Sequence, residues 1–252
     1  MEERIEFPDD SIAITILYDN NLYDHELKTA WGFSCLVKLP YKTILFDTGG
    51  DSSILLSNMA KLDVDPQEVN AVFLSHIHGD HIGGLAGFLK RNNKVTVYLP
   101  KSFPQSIKAE IRSFSAKIEE VDRPKKLFEN VYTTGELGTG IIEQAFIIKT
   151  PQGLLVITGC AHPGVLTVIQ KAMEITGDKV YLLLGGFHLM GASFPRIESI
   201  IKEVLRLGVK KVGPCHCTGD EAKEIFKGQY GSHYLACGVG RKILIHRACY
   251  QK

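Results

Sequence analysis

No apolar run in the sequence approaches the about 18 residues that a membrane-spanning helix needs, which removes such a helix from consideration. There is no excess of one charge either: 29 Lys and Arg stand against 28 Asp and Glu, and a net charge of +1 supplies no broad basic track for nucleic acid. Cysteine is sparse. The six thiols (Cys35, Cys160, Cys215, Cys217, Cys237 and Cys249) are too few for a disulfide scaffold in 252 residues that can bury their own core. Cys215 and Cys217 form a CxC with no second pair, which argues against a four-thiolate zinc or iron–sulfur site. The acidic start, MEERIEFPDD, lacks the basic flank and apolar centre of a secretory signal, so the chain reads as cytoplasmic. No GxGxxG follows an early strand, and Gly238–Val239–Gly240 has no helix after it. That excludes a doubly wound dinucleotide fold.

What is there is an alternation of short apolar runs and turn signals. Ser11–Leu17, Phe33–Lys38 and Thr43–Phe46 read as strands, with Asp19, Asn20 and Asn21 breaking the first. A helix follows over Ser53–Leu62, and Ala71–Leu74, apolar throughout, reads as a buried strand. After Ser75–Gly84 and a short helical stretch come a strand at Lys94–Leu99, an amphipathic helix at Ser102–Arg112 and a charged surface excursion from Phe114 to Lys126. The second half restarts with strands at Asn130–Thr133, Glu143–Lys149 and Leu154–Ile157. Helix Val165–Ile175, strand Val180–Leu184, helix Pro195–Leu207, a short strand at Lys211–Gly213, helix Asp220–Lys227 and a closing strand at Lys242–His246 complete it. Both halves, about 1–128 and 129–252, run strands first and strand–helix units second. The expectation is one α/β domain in which two sheets pack together with helices outside, a four-layer αββα sandwich.

The chemistry sits directly after the buried strand, in Ser75–His76–Ile77–His78–Gly79–Asp80–His81–Ile82–Gly83–Gly84. In an extended segment His76 and His78 point the same way and can share one metal, while Asp80 and His81 lie where the chain turns and can reach a second. Gly79, Gly83 and Gly84 suit a tight turn and close backbone approach. His162 and His216 stand alone after later strands, and ligands gathered from rigid strand ends are what a metal-dependent hydrolase requires. Asp47 either accepts a hydrogen bond from a ligand imidazole or serves as the Asx residue of the turn Asp47–Thr48–Gly49.

The segment SHIHGDHIGG, with FDTGG at 46–50, TGCAHPG at 158–164 and PCHCTG at 214–219, resembles the metallo-β-lactamase superfamily in motif content and order. The resemblance implies His76, His78 and His162 on a first metal, the tighter one, and Asp80, His81 and His216 on a second, with Asp47 supporting a ligand from behind. One departure matters: where the family often supplies a bridging carboxylate, this chain reads Gly185–Gly186–Phe187–His188–Leu189. His188 then occupies that region, faces the substrate or has no metal role. Together with TTGELG at 133–138, these motifs resemble the branch of 7,8-dihydropterin-6-methyl-4-(β-D-ribofuranosyl)aminobenzene-5′-phosphate synthase-like proteins. Glu136 in that loop either lines the pocket or is a surface acid.

The implied activity is metal-dependent hydrolysis of a small phosphoester or related ester through a metal-bound water, with Asp80 and His188 as the catalytic side chains and Glu136 and His188 toward the substrate. Nitrogen-rich ligation suits one or two zinc ions, with iron or manganese as alternatives. The competing readings are a transferase joining a dihydropterin to a ribofuranosyl-aminobenzene phosphate, and a non-hydrolytic metal-binding or redox protein.

Overall fold

The computed structural model describes residues 11–246; the acidic N-terminal stretch and Cys249 lie outside the described residues. The chain first forms β1 (Ile12–Asp19), β2 (Phe33–Leu39), β3 (Lys42–Phe46), α1 (Ser52–Lys61), β4 (Ala71–Phe73), α2 (Gly79–Ile82), α3 (Leu85–Arg91), β5 (Thr96–Pro100), α4 (Gln105–Ser113) and β6 (Lys117–Val121). It continues through β7 (Lys125–Phe128), β8 (Val131–Thr133), β9 (Phe146–Thr150), β10 (Gly153–Thr158), α5 (Val165–Thr176), β11 (Val180–Gly186), α6 (Phe194–Arg206), β12 (Lys211–Cys215), α7 (Asp220–Tyr230) and β13 (Lys242–Ile245).

Two mixed sheets result. One runs β13-β1-β2-β3-β4-β5-β6 and the other β12-β11-β10-β9-β8-β7. The pairing from β3 to β6 is parallel, as is that from β10 to β12, while the hairpin-connected strands are antiparallel. The apolar runs have two buried faces to serve. Phe46, Phe73, Phe146, Leu155 and Leu184 point between the sheets. Their sequence neighbours Leu45 and Val72 pack outward against Leu55 of α1 and Phe88 of α3, and Leu154 and Val156 pack against Ile169 of α5 and Ile201 of α6. This is the αββα sandwich. Phe46 stacks on Phe73 at a centroid distance of 5.5 Å and Phe146 meets Phe73 edge-on at 5.1 Å, so three rings join the sheets just below the ends of β3 and β4.

The stretch expected to be a charged surface excursion contains β6 and the start of β7. β6 is the edge strand of its sheet, so its charged side chains face solvent and its composition hides the strand. Lys108 of α4, with its side chain buried, reaches Glu120 of β6 at 2.9 Å. A second difference lies at Glu143 and Gln144, which precede β9 instead of opening it. The strand expected to stop at Gly213 extends to Cys215. Sheet membership also crosses the 128/129 boundary, because β7 belongs with the later strands and β13 returns to pair antiparallel with β1. Among the described residues no helix is long and apolar enough to cross a membrane. The five described cysteines are all buried and unbridged.

Candidate metal centre

Every chemically reactive side chain of interest follows the carboxyl end of a strand, on the same end of both sheets. Asn20 follows β1, Asp47 β3, the His76–His81 segment β4, Cys160 and His162 β10, His188 β11, and His216 β12. Open α/β sheets place their sites there because the strand ends are rigid while the loops beyond them are free to vary. The first two loops are locked together: Thr48 donates from its N–H to His81 O at 2.7 Å, and Gly84 N donates to Gly49 O at 3.1 Å. A Cβ at Gly83 would lie 2.3 Å from Gly50 O, and one at Gly84 2.1 Å from Thr48 O, so these glycines are needed for close approach. Gly79 meets nothing within 4 Å and is not needed on that ground.

Two groups of donor atoms converge. In one, His78 Nδ1 lies 3.1 Å from His76 Nε2 and 3.2 Å from His162 Nε2. In the other, His81 Nε2 and His216 Nε2 are 3.2 Å apart, with Asp80 Oδ2 at 3.3 Å from His216 and 3.6 Å from His81. Oxygens behind the rings determine which nitrogens face inward. Asp47 Oδ2 sits 2.7 Å from His81 Nδ1. The Ser75 hydroxyl donates to Asp47 Oδ2 at 2.7 Å, so its oxygen is left to accept from His76 Nδ1 at 2.9 Å. Asn20 donates from its amide to His216 O, which leaves Asn20 Oδ1 to accept from His216 Nδ1 at 2.9 Å. Each of these three imidazoles therefore presents an unprotonated Nε2 to the site.

A further carboxylate organises the loop after β10. Glu143 is 1% exposed; its Oε1 accepts from the N–H groups of Gly159, Cys160 and Ala161 at 2.9–3.1 Å, and its Oε2 accepts from His162 N at 2.9 Å. The loop carrying Cys160 and His162 is thus clamped by one side chain.

The electrostatics follow from burial and neighbours. Burial holds His76 well below the usual imidazole range, aided by the facing rings. Burial and the neighbouring His188 bring His162 down to about 4. At His81 burial pulls downward, but the Asp47 carboxylate outweighs it and the net shift is upward. Burial opposes ionisation of Asp80, yet the His216 hydrogen bond and His81 overcome it and place Asp80 at about 2. In the buried Cys160–Cys217 pair the hydrogen bond between the two lowers Cys217, with help from His188, and raises Cys160.

The donor set fits divalent metal ions. Nitrogen pairs at 3.1–3.2 Å compare with the about 3.3 Å edge of a tetrahedron having bonds near 2.0–2.1 Å. Lone pairs facing one another at such separations repel unless a proton or cation lies between them. The ion-pair partners of Asp47 and Asp80 among the described residues are histidines, with no Lys or Arg supplying compensating charge.

His188 lies to one side. Its exposed ring stands 4.4 Å from that of His162, its backbone is left-handed with φ 51°, and its ligand nitrogen groups with Cys160 and Cys217. Glu136 is committed elsewhere, since its carboxylate accepts from Ser102 N at 2.6 Å, and among the described residues it joins none of the convergent groups. Asn20, Ser75, Glu143 and Cys160 have positions in the site that their sequence context did not assign. So does Trp31, which is 50% exposed at the rim with its ring 4.9 Å from that of His216.

Fold and site together define a class. Residues 32–168 match the metallo-beta-lactamase superfamily, and the chain belongs to that superfamily of enzymes. It is 28% identical, over 93% of its own length and 97% of the relative's, to a 7,8-dihydropterin-6-methyl-4-(beta-D-ribofuranosyl)-aminobenzene-5'-phosphate synthase of Methanocaldococcus jannaschii. A ribonuclease Z of Nanoarchaeum equitans is 34% identical over 45% of this chain and 36% of that protein. Among solved structures, Tm1679, a metal-dependent hydrolase of the beta-lactamase superfamily, superposes with a TM-score of 0.80 and 29% identity over 93% of this chain and 99% of the other.

Proposed function

We propose that this protein is a single-domain metallohydrolase that cleaves a small phosphate-bearing ester, with His76, His78 and His162 holding one divalent ion and Asp80, His81 and His216 holding another. The observation that carries the reading is the pair of adjacent donor groups, whose imidazoles at 76, 81 and 216 are each turned inward by an oxygen behind the ring. When bound, divalent ions supply Lewis acidity toward a water nucleophile and a phosphoryl or carbonyl oxygen. Asp47 fixes His81 directly and His76 through Ser75. Hydrolysis forms a bond from water oxygen to the electrophilic atom and breaks the bond to the leaving oxygen. His188, exposed beside His162, is placed to donate the proton that the leaving oxygen needs. Zinc suits the imidazole majority, with iron or manganese as alternatives. The five described cysteines, buried and unbridged, support work in the cytoplasm.

A transferase acting on a dihydropterin is the second reading, favoured by the near full-length similarity to the methanogen synthase and by Trp31, whose exposed face suits a flat heterocycle. The balanced charge favours a small substrate over RNA. Elemental analysis of protein purified without added metal, followed by a panel of phosphoesters, lactones and pterin conjugates, separates these readings. His76→Ala with His78→Ala should lower metal content far more than it lowers sheet and helix content. Full metal occupancy in the double variant refutes the ligand assignment, and firmly bound metal without any turnover returns the protein to a non-hydrolytic binding role.

A further inference from the structure

The two donor groups contain one carboxylate, Asp80, and the turn after β11 offers His188 where a bridging acid is usual for this superfamily. Neighbouring dications repel one another, and neutral imidazoles do nothing to offset that repulsion. The other buried carboxylates are committed or stand apart: Asp19 accepts from Asn21 through Oδ1 and joins none of the convergent groups. Asp47 takes Ser75 and the outer nitrogen of His81, and Glu143 takes four backbone N–H groups.

We propose that Cys160, bound as its thiolate, is a metal ligand at the seam between the two groups and supplies the anionic link that no carboxylate provides. This rests on reading both groups as metal sites. Three observations carry it. Cys160 Sγ lies 3.3 Å from His81 Nε2, the nitrogen that faces the site. It is the side chain common to both convergences: its sulfur lies within 4.8 Å of the ligand atoms of His76 and His162 on one side and of His81 and His216 on the other. It is also 4% exposed and aimed by the Glu143 clamp, which holds the backbone of Cys160 and His162 together, so that one loop presents both donors.

The strand end that usually carries the bridging acid is closed to any side chain at Gly186. A Cβ there would lie 2.4 Å from Gly159 O, 2.6 Å from Cys217 Sγ and 3.2 Å from Cys160 Cα, so the backbone after β10 and the Cys217 thiol occupy the space on that side. Cys217 is the weaker candidate, since it groups only with Cys160 and His188 and with neither set of inward-facing imidazoles. Without a cation the Cys217 hydrogen bond and burial hold the Cys160 thiol up; ligation replaces its sulfur–hydrogen bond with a sulfur–metal bond and releases one proton to solvent, with no change of oxidation state.

Titration of the full-length chain, freed of metal by chelation, with Co(II) tests this. Wild type should develop a near-ultraviolet thiolate-to-cobalt charge-transfer band together with visible ligand-field bands. Cys160→Ser should lose the charge-transfer band, keep the ligand-field bands and bind the second equivalent at least about tenfold more weakly, while Cys217→Ser keeps all three features. Ligand-field bands without a thiolate band in wild type, or a band that survives Cys160→Ser, overturn the proposal and leave the metal reading intact. Absence of cobalt binding overturns both. Should Cys160→Ser fail to fold, X-ray absorption of the zinc-loaded Cys217→Ser protein decides the matter: a sulfur scatterer at about 2.3 Å supports Cys160, and a shell of nitrogen and oxygen alone rejects it.

Discussion

The two donor groups are built from the same short segment yet differ in how they are held. His81 and His216 are fully buried, each braced from behind by an oxygen, and they share Asp80. In the other group only His76 is buried and braced, while His78 and His162 are half-buried and His162 lies beside His188. One group is thus an anion-bearing, preset cradle, and the other is an imidazole set open to whatever enters. The contrast suggests a division of labour in which the buried group fixes position and the open group meets substrate. Expecting the all-histidine group to be the tighter follows from the missing carboxylate bridge, which weakens the second ion, and the bracing of the buried group argues the other way. Affinity measured group by group is therefore informative.

The largest effect is expected where the two groups depend on one residue. Glu143→Gln replaces a four-fold acceptor with an amide whose own hydrogens face N–H donors, and each buried donor left unpaired costs about 1–3 kcal/mol. A loss of several kcal/mol in denaturant unfolding should accompany reduced metal content at both groups. Unchanged stability would show that the loop between β10 and α5 holds its shape without the clamp.

Next comes His188. His188→Gln removes the proposed proton donor without removing a ligand, so turnover should fall by about 10²-fold or more while metal content stays at the wild-type level. Loss of metal in this variant would instead move His188 into the coordination sphere and redraw the open group around it.

Asp47 and Ser75 sharpen the comparison directly. Asp47→Asn should weaken metal binding by about 10- to 100-fold, chiefly at the buried group, because Asp47 touches His81 itself and reaches His76 only through Ser75. Ser75→Ala should instead weaken the open group. A structure with an Asp47 oxygen about 2.2 Å from a metal would break the scheme.

Much of this site was legible in the sequence. The strand–turn–helix signals around Ala71–Gly84 are local, and three histidines with an aspartate in six residues have no use in an apolar core. The braces are not local. Asn20 reads only as a strand breaker, and its partner His216 lies 196 residues away. Glu143 stands before an apolar run and reads as the first strand residue, whereas its role depends on backbone groups 16–19 residues further on. Cys160 is one of six scattered thiols in the sequence, and nothing in its neighbourhood says that His81 will face it. The fold was legible wherever both faces of a strand are apolar, and β6 was missed because an edge strand carries charge that a central strand would not tolerate.

The smallest expected effect concerns the rim. Trp31 packs against the ring of His216 yet leaves half of its surface open, so it touches the buried group from the side on which substrate would arrive. Trp31→Ala removes a stacking face while leaving the Asn20 brace on His216 in place, and aromatic stacking contributes about 0.5–1.5 kcal/mol beyond area burial. KM should rise about 2- to 10-fold with kcat and metal content nearly constant, and more for a pterin conjugate than for a simple phosphoester if the flat heterocycle is what stacks there. As the only tryptophan in the chain, Trp31 also reports on the site by its own fluorescence, which ligand binding should quench. Equal KM values for both substrate types in wild type and variant would remove the rim from recognition. A fall in kcat with metal loss would show that Trp31 serves the buried group by holding His216, placing it on the structural side of the division between the two groups.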